Sequence, residues 1–199
     1  MRHRFAAAIA LGTMALCTFA AAQEPRSQAT VPEPGTYVHL MVFEDIGDSL
    51  RFNNPYRLSN QLGSTGESLS RTPVYNSLGG AVTLGDPNGL QHGMALQWSR
   101  SLSGLPQHVV TPSYMVLLAR WRPWLPYARL GLPVILNPDA NVGGEAAVGA
   151  TYLLLAGVGV HAEMVGNVFY GAATWTTGRT TIPMLSLQAG LTIDYEVLP

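Results

Sequence analysis

The chain has 199 residues, of which 47% are hydrophobic and only 12% charged, whereas a soluble globular domain carries about 25% charged residues. Lysine is absent, and the formal charge of −1 excludes the basic footprint that nucleic-acid binding requires. So few charges also exclude a solvated disordered chain, yet nothing after residue 22 offers the roughly 18 consecutive apolar residues of a transmembrane helix.

Residues 1–22 have the pattern of a cleaved secretory signal peptide. Arg2 and Arg4 precede an apolar stretch over 5–19, and three alanines at 20–22 give a small-residue cleavage site. An uncleaved anchor is the less favoured alternative, because the apolar stretch is short and alanine-rich. Cys17, the only cysteine, lies inside this segment, so we expect an exported chain without disulfides.

The remaining chain is predicted to consist of β-strands. Residues 23–34 are polar and proline-rich, which indicates a flexible leader. From residue 35 onward apolar and polar residues alternate with the two-residue period of a strand. The first strand is apolar on both parities, so its facing stays open. The eight predicted strands are, in chain order, residues 36–44, 78–84, 90–102, 113–122, 127–136, 143–155, 158–170 and 182–198.

The connections between these strands alternate strictly between short and long. Short turns are predicted at 86–89, 123–126 and 156–157, where glycine, proline, asparagine and aspartate favour tight turns. Longer links span 45–77, 103–112, 137–142 and 171–181. An up-and-down barrel with this order has every long loop at one end, which is the asymmetry of an outer-membrane barrel.

The polar face of the strands distinguishes a membrane barrel from a soluble one. A soluble lipocalin-like barrel, the alternative fold, needs a charged exterior and an apolar interior. Here the polar face is mostly Gly, Ala, Ser, Thr and Gln, which suits the narrow lumen of eight strands. We therefore predict an all-β fold, an eight-stranded antiparallel up-and-down transmembrane β-barrel over residues 35–199.

Aromatic residues are predicted to form two interfacial belts, as in membrane barrels. The loop-end belt would contain Trp98, Tyr114 and Tyr170. The turn-end belt would contain Trp121, Trp124, Tyr127, Tyr152 and Tyr195.

A small set of charged residues falls on the predicted lumen face. It forms either a charged constriction for small solutes or an internal ion-pair network that plugs the barrel. We favour the plug, because charges in a narrow interior need partners. The set comprises Arg120, Arg122, Arg129, Glu145, His161, Glu163, Asp194 and Glu196.

Three stretches carry a resemblance to a known family, namely residues 127–133, 143–145 and 156–163. With the barrel pattern they resemble small eight-stranded bacterial outer-membrane barrels of the OmpA/OmpX type, in particular those of myxobacterial type. The resemblance implies a monomer in the outer membrane of a Gram-negative bacterium. Its partners would be outer-membrane lipid and lipopolysaccharide, with periplasmic chaperones and the barrel assembly machinery during biogenesis. The chain departs from the usual terminal aromatic residue, since it ends in Val197, Leu198 and Pro199, with Tyr195 as the substitute.

No motif in the sequence indicates an enzyme. Metal-ligand spacings, phosphate-binding loops and nucleophile motifs are absent, so we predict no catalytic residue, cofactor or metal. His161 and Glu163 share a lumen face with no serine on that strand. We expect a structural or surface-interaction role, with the link over 45–77 as the place for contacts. The alternatives are a lipid-modifying outer-membrane enzyme and a narrow solute channel.

Overall fold

A computed structural model describes residues 37–52, 69–104, 106–137, 140–155, 157–172 and 179–197. The predicted signal peptide and leader lie outside these residues. The chain divides into the units 1–33 and 34–199, and every described residue belongs to the second. None of the described segments is a helix with the length and apolar character needed to cross a membrane.

The described chain is one antiparallel sheet that closes on itself. β10 pairs with β1 from Val38↔Val197 to Arg51↔Met184, which closes the barrel. β2 is a short strand that pairs with the end of β1. β7 lies between β5 and β8, as β6 does, and so continues the same barrel strand. The ten strands therefore form a barrel of eight. The predicted eight-stranded up-and-down barrel is confirmed. Its strands are β1 Tyr37–Phe52, β2 Leu69–Arg71, β3 Tyr75–Gly85, β4 Leu90–Ser101, β5 His108–Leu118, β6 Trp124–Gly131, β7 Val134–Asn137, β8 Asn141–Leu155, β9 Val158–Ala172 and β10 Arg179–Val197.

Two strands depart from their predicted bounds by four residues or more. β1 runs eight residues beyond the predicted end at 44, because Asp45 and Ser49 continue the inward face while Ile46 and Leu50 continue the outward one. β5 covers 108–118 rather than 113–122, and a single 3-10 turn follows at Ala119–Trp121. Pro123 disfavours helical backbone at the residue before it, and β6 begins directly afterwards at Trp124.

The predicted facing is confirmed along β3, β4, β6, β8, β9 and β10. On β5 the parity of Arg120 and Arg122 predicts the opposite face inward, but Met115 and Leu117 are the buried residues. Outward apolar side chains are exposed, as Leu130 at 65% and Leu187 at 66% show, whereas the inward Thr83 and Gln91 are fully buried. Some outward residues break the apolar pattern, among them Glu44 of β1, which is exposed on the outer face.

Inward aromatic side chains lie over glycines that pair with them directly across the sheet. The ring of Phe169 occupies the space where a Cβ on Gly143 would stand, at only 2.7 Å from the ring atom Cδ1. A glycine thus lets a ring lie flat against the neighbouring strand inside a narrow lumen. This arrangement occurs in four register pairs: Phe43↔Gly79, Tyr75↔Gly47, Tyr127↔Gly149 and Phe169↔Gly143.

Two adjacent glycines of β8 test this packing. Gly143→Ala should lower the free energy of unfolding by about 1–3 kcal/mol, because the methyl group overlaps both Phe169 and the backbone oxygen of Val168. Gly144→Ala is the matched control, since a Cβ there meets no atom within 4 Å. Urea unfolding of the refolded variants measures both. Equal effects of the two substitutions would contradict the packing role of Gly143.

Candidate functional site in the barrel lumen

The central polar cluster of the lumen is built around Arg129 of β6. Its Nε and Nη2 atoms lie 2.8 and 2.7 Å from Oε1 of Glu163, and charge-assisted contacts of this kind are among the stronger hydrogen bonds. Nη2 also donates to Oε1 of Gln97 at 3.1 Å, and Nη1 donates to Oγ of Ser113 at 3.3 Å. Glu145 lies 3.6 Å away. Arg129 is only 2% exposed, so these contacts replace its hydration.

The second carboxylate oxygen of Glu163 has its own donors. The hydroxyl of Tyr127 lies 3.2 Å from Oε2, and the amide nitrogen of Gln188 donates to it at 2.8 Å. Both oxygens of this buried carboxylate are therefore hydrogen-bonded, which is what a charge in a low-dielectric interior requires. The cluster holds β4, β5, β6, β9 and β10 to a common centre.

His161 forms a second contact across the lumen, on the turn side of the arginine cluster. Its Nε2 contacts a carboxylate oxygen of Asp45 on β1, and the Thr192 hydroxyl lies 2.7 Å from Nδ1. An acid, a histidine and a hydroxyl in this order resemble a catalytic triad. The adjoining cavity measures only about 10 Å³, about the space of one water molecule. An acyl substrate does not fit there, so this chain of contacts is suited to holding strands together.

An apolar layer separates these clusters from the turn end of the barrel. Along β1 the inward residues run in the order His39, Met41, Phe43 and Asp45, so two apolar side chains stand between two polar ones. Buried apolar side chains from other strands pack in the same layer. The buried apolar cluster comprises Met41, Phe43, Ala81, Ala95, Met115, Leu117, Ala119 and Leu125.

A separate charged cluster lies at the turn end. Nδ1 of His39 is 3.1 Å from Asp194, and its Nε2 is 3.4 Å from Glu196. Arg122 is ion-paired with Glu196. The three potential metal ligands of this cluster lie within 4.8 Å of one another. Because His39 contacts the two acids through different ring nitrogens, the arrangement suits a histidine bridging two carboxylates better than three ligands converging on one ion.

A polar cavity of about 90 Å³ occupies the loop end of the lumen. Hydroxyl pairs line it, with Ser49 and Ser186 2.7 Å apart and Ser77 2.8 Å from the lining residue Ser99. Glu145 and Gln188 mark its inner end, where the arginine cluster begins. The lumen is therefore layered from polar cavity to charged cluster, apolar layer and charged turn end.

Seven of the eight predicted lumen residues lie in two clusters, and the eighth, Arg120, lies outside the lumen. Arg129, Glu145, His161 and Glu163 lie at the centre, and Arg122, Asp194 and Glu196 lie at the turn end. Arg120 was predicted to face the lumen, but it is exposed on the 3-10 turn after β5. The two-residue alternation ends with β5 at Leu118, so it no longer predicts the direction of Arg120.

Seven of the eight predicted belt aromatics lie outside the lumen, and one does not. Trp98, Tyr114, Trp121, Trp124, Tyr170 and Tyr195 are 40–60% exposed, and the Tyr152 ring packs on Trp124 with centroids 4.9 Å apart. Tyr127 was predicted at the interface, but its hydroxyl donates to Glu163 inside the barrel. Tyr127 has the same parity as Arg129, and this shared parity is the sequence signal for its inward direction.

The sequence prediction omitted two titratable residues of the lumen. Asp45 was assigned to a loop, and His39 belonged to a strand whose facing stayed open. Gln97, Thr192 and Gln188 are uncharged residues, and their hydrogen bonds to charged groups depend on register around the barrel. Extending the parity of Ser49 and Asp45 back along β1 would have found both missing charged residues.

The comparisons with known proteins bear on the fold. No family model matches the chain, and no curated protein matches it. Among solved structures, the chain is similar to the Neisserial surface protein A, NspA, with a TM-score of 0.50 and 14% identity over 78% of this chain and 97% of that one. At such low identity the likeness shows a shared barrel fold alone.

Two further solved structures match the chain at lower scores. The outer membrane protein AlkL, determined in DMPC lipid bilayers, gives a TM-score of 0.45 at 9% identity and covers 89% of this chain and 98% of that one. A de novo designed transmembrane β-barrel gives a TM-score of 0.45 at 14% identity and covers 83% of this chain and 100% of that one.

Loss of the arginine from the central cluster tests its structural weight. Arg129→Ala should lower the free energy of unfolding by about 3–5 kcal/mol, because Glu163 is left as an unpaired buried charge. Arg120→Ala removes an exposed arginine from the 3-10 turn after β5 and should change stability by less than about 0.5 kcal/mol. Urea titration of both refolded variants checks this. Similar stabilities of the two variants would contradict the role assigned to Arg129.

Proposed function

We propose that the protein is an integral outer-membrane barrel whose lumen is closed by its own side chains. Its role would be structural or would lie in contacts made at the loop end, and it would have no enzymatic activity. The exposed apolar outer face supports a lipid environment, since a soluble barrel places such residues inside. Partners of this kind of protein are outer-membrane lipid and lipopolysaccharide, with chaperones and the assembly machinery during insertion. We also propose that the protein is a monomer and is related to outer-membrane barrels of myxobacterial type.

The observation that carries the closed lumen is the position of Arg129. Its guanidinium contacts residues of β4, β5 and β9, and the carboxylate it binds also contacts β10. The apolar layer of Met41, Met115 and Leu125 then fills the lumen on the turn side. A solute would need to displace both layers to cross. This favours a plug over the second candidate, a narrow channel, whose charged constriction would have to remain hydrated.

Single-channel recording tests the closed lumen. Purified wild-type protein in planar lipid bilayers should give no stepwise currents. Arg129→Ala should also give none, because the apolar layer closes the lumen independently of the arginine. A large porin inserted under the same conditions is the positive control. Stepwise currents from the wild-type protein would favour the channel instead, and deacylation of lipid A or phospholipid in detergent would favour the lipid-modifying enzyme.

The proposed membrane location gives Glu44 an unusual environment. In one direction Glu44 pairs with Leu78, and Leu78 pairs with Trp98 of the loop-end belt. In the other direction the register leads from Glu44 through Leu191 and Val160 to Tyr152 at the turn-end belt. Glu44 therefore lies between the two belts, on the face that would contact lipid. Its one polar neighbour with a side-chain contact is Asn76, whose amide nitrogen lies 3.4 Å from Oε1.

Replacing this carboxylate tests the lipid-facing assignment. Glu44→Leu should raise the free energy of unfolding in phospholipid vesicles by about 1–2 kcal/mol, because a charge on the lipid face is destabilising at mid-depth. Leu78→Glu adds a second carboxylate on the neighbouring strand and should lower the free energy of unfolding by a similar amount. Unfolding curves in vesicles of defined thickness provide the measurement. A loss of stability in Glu44→Leu would argue against lipid contact at this face.

A further inference from the structure

Two neighbouring rows of outward side chains form a sharp boundary near the loop end of β3, β4 and β5. The members of each row pair directly across these strands. One row is wholly apolar, whereas every member of the other carries N–H donors and none carries a carboxylate. On a lipid-facing surface, such a step lies where hydrocarbon gives way to headgroups. The apolar row is Leu78, Trp98 and Val110, and the polar row, two residues nearer the loop end on each strand, is Asn76, Arg100 and His108.

Arg100 and His108 are the two basic members of the polar row. They pair directly across β4 and β5, so their Cβ atoms lie about 5 Å apart. The His108 ring stacks on Trp98, with centroids 5.7 Å apart and planes 7° apart, which fixes the direction of the imidazole. Among the described residues, neither basic side chain forms an ion pair with a carboxylate. An anion between them would accept N–H bonds from both in either protonation state of the histidine.

Both basic side chains line an open cleft of about 280 Å³ at the loop end. Arg100 is exposed and His108 is partly exposed, so a ligand can enter the cleft from outside the barrel. Ser103 adds a hydroxyl group, and Leu102 adds an apolar side chain. Among the described residues that line the cleft, none is an acid. A guanidinium with neighbouring N–H and O–H donors is suited to a phosphate group, whose oxygens accept several bonds at once.

The apolar row beside the cleft favours an anion that carries an acyl chain. Trp98 precedes Arg100 by two residues on the outward face of β4, and Leu96 precedes Trp98 by two more. Both are exposed, Leu96 at 57% and Trp98 at 40%. A chain that extends from the cleft toward the middle of the barrel wall would cover these two side chains and remove apolar surface from water. A phosphate ion without a chain would use the polar row alone.

We propose that Arg100 and His108 bind the phosphate group of a phosphorylated lipid, whose acyl chain lies along Trp98 and Leu96. The site rests on the proposed function, because the apolar row borders hydrocarbon only if the outer face contacts lipid. It deepens that function by assigning one lipid class to one place on the barrel wall. Binding takes place outside the lumen and therefore needs no conductance through the barrel.

A titration with a single-chain phospholipid tests the site. Folded wild-type protein in dodecyl maltoside micelles, whose headgroups carry no phosphate, is titrated with lysophosphatidic acid while the indole N–H signal of Trp98 is followed by NMR. We expect a saturable shift, and the monoacylglycerol with the same chain should bind at least about tenfold more weakly because it lacks the phosphate. Inorganic phosphate at the same total concentration should cause less than about a tenth of the shift, because it lacks the chain.

Each contrary result overturns a stated part of the proposal. Equal binding of monoacylglycerol, or no saturable shift with lysophosphatidic acid, would show that the cleft does not recognise phosphate. An equal shift with inorganic phosphate would assign the cleft to a soluble anion instead of a lipid.

Substitution of the two basic residues connects the binding to the cleft. Arg100→Gln should weaken lysophosphatidic acid binding at least about tenfold, because a charge-assisted contact is lost. His108→Leu removes the imidazole N–H and should weaken binding severalfold, and it keeps the test decisive if Arg100→Gln does not fold. Arg120→Gln is the matched control, because it removes an exposed arginine from the turn after β5, and it should leave the affinity unchanged. Wild-type affinity in a folded Arg100→Gln or His108→Leu protein would overturn the proposal.

The lipid site and the membrane location fail in different experiments. Raised stability of Glu44→Leu in vesicles supports the lipid-facing outer surface without involving the cleft. That result together with unchanged affinity of the Arg100→Gln protein would remove the lipid site and leave the proposed function in place.

Discussion

A barrel of eight strands leaves an interior just wide enough for side chains, and this narrowness governs the rest of the structure. Inward side chains of different strands come close to one another, so buried polar groups find partners on other strands. The guanidinium of Arg129 is the clearest case, because it reaches Glu163, Gln97 and Ser113 at 2.7–3.3 Å from a side chain that is 2% exposed. A wider barrel would hydrate the same groups and would not tie its strands together through them.

The same narrowness explains where glycine is used. An aromatic ring such as that of Phe43 cannot point straight across the lumen without meeting the opposite wall. It lies instead along the neighbouring strand, which requires Gly79 directly across from it. The ring then also contacts His161 edge-on, with centroids 5.8 Å apart. Glycine content in these strands therefore reflects packing of rings against backbone, and the ring in turn positions a member of the polar cluster.

Sequence reasoning succeeded where one period describes a whole strand. Strand number, order of connections and facing all follow from two-residue alternation, and they are correct for β4, β8, β9 and β10. It failed at positions where alternation stops or mixes. Arg120 follows the end of β5, so strand parity does not predict its direction. The acidic residues in the second half of β1 led to the prediction of a loop where the strand continues.

The composition of the central cluster could not be predicted from parity alone. Parity places His161 and Glu163 on the same face of β9, but their partners come from strands far apart in the chain. Asp45 reaches His161, and Arg129 reaches Glu163, only through the register around the closed barrel. A shift of one residue in the pairing of β10 with β1 would turn one of these faces outward. The partners of His161 and Glu163 therefore depend on how the barrel closes, and the pattern of a single strand does not predict them.

Layering of the lumen has a consequence for the direction in which the protein can interact. Met115 and Leu125 of the apolar layer are buried, and the acids of the charged cluster at the turn end are paired with Arg122 and His39. The polar cavity of about 90 Å³ lies on the other side of this layer, at the loop end. A molecule that enters from the loop end therefore meets polar side chains before the apolar layer, whereas one at the turn end meets charges that are already paired.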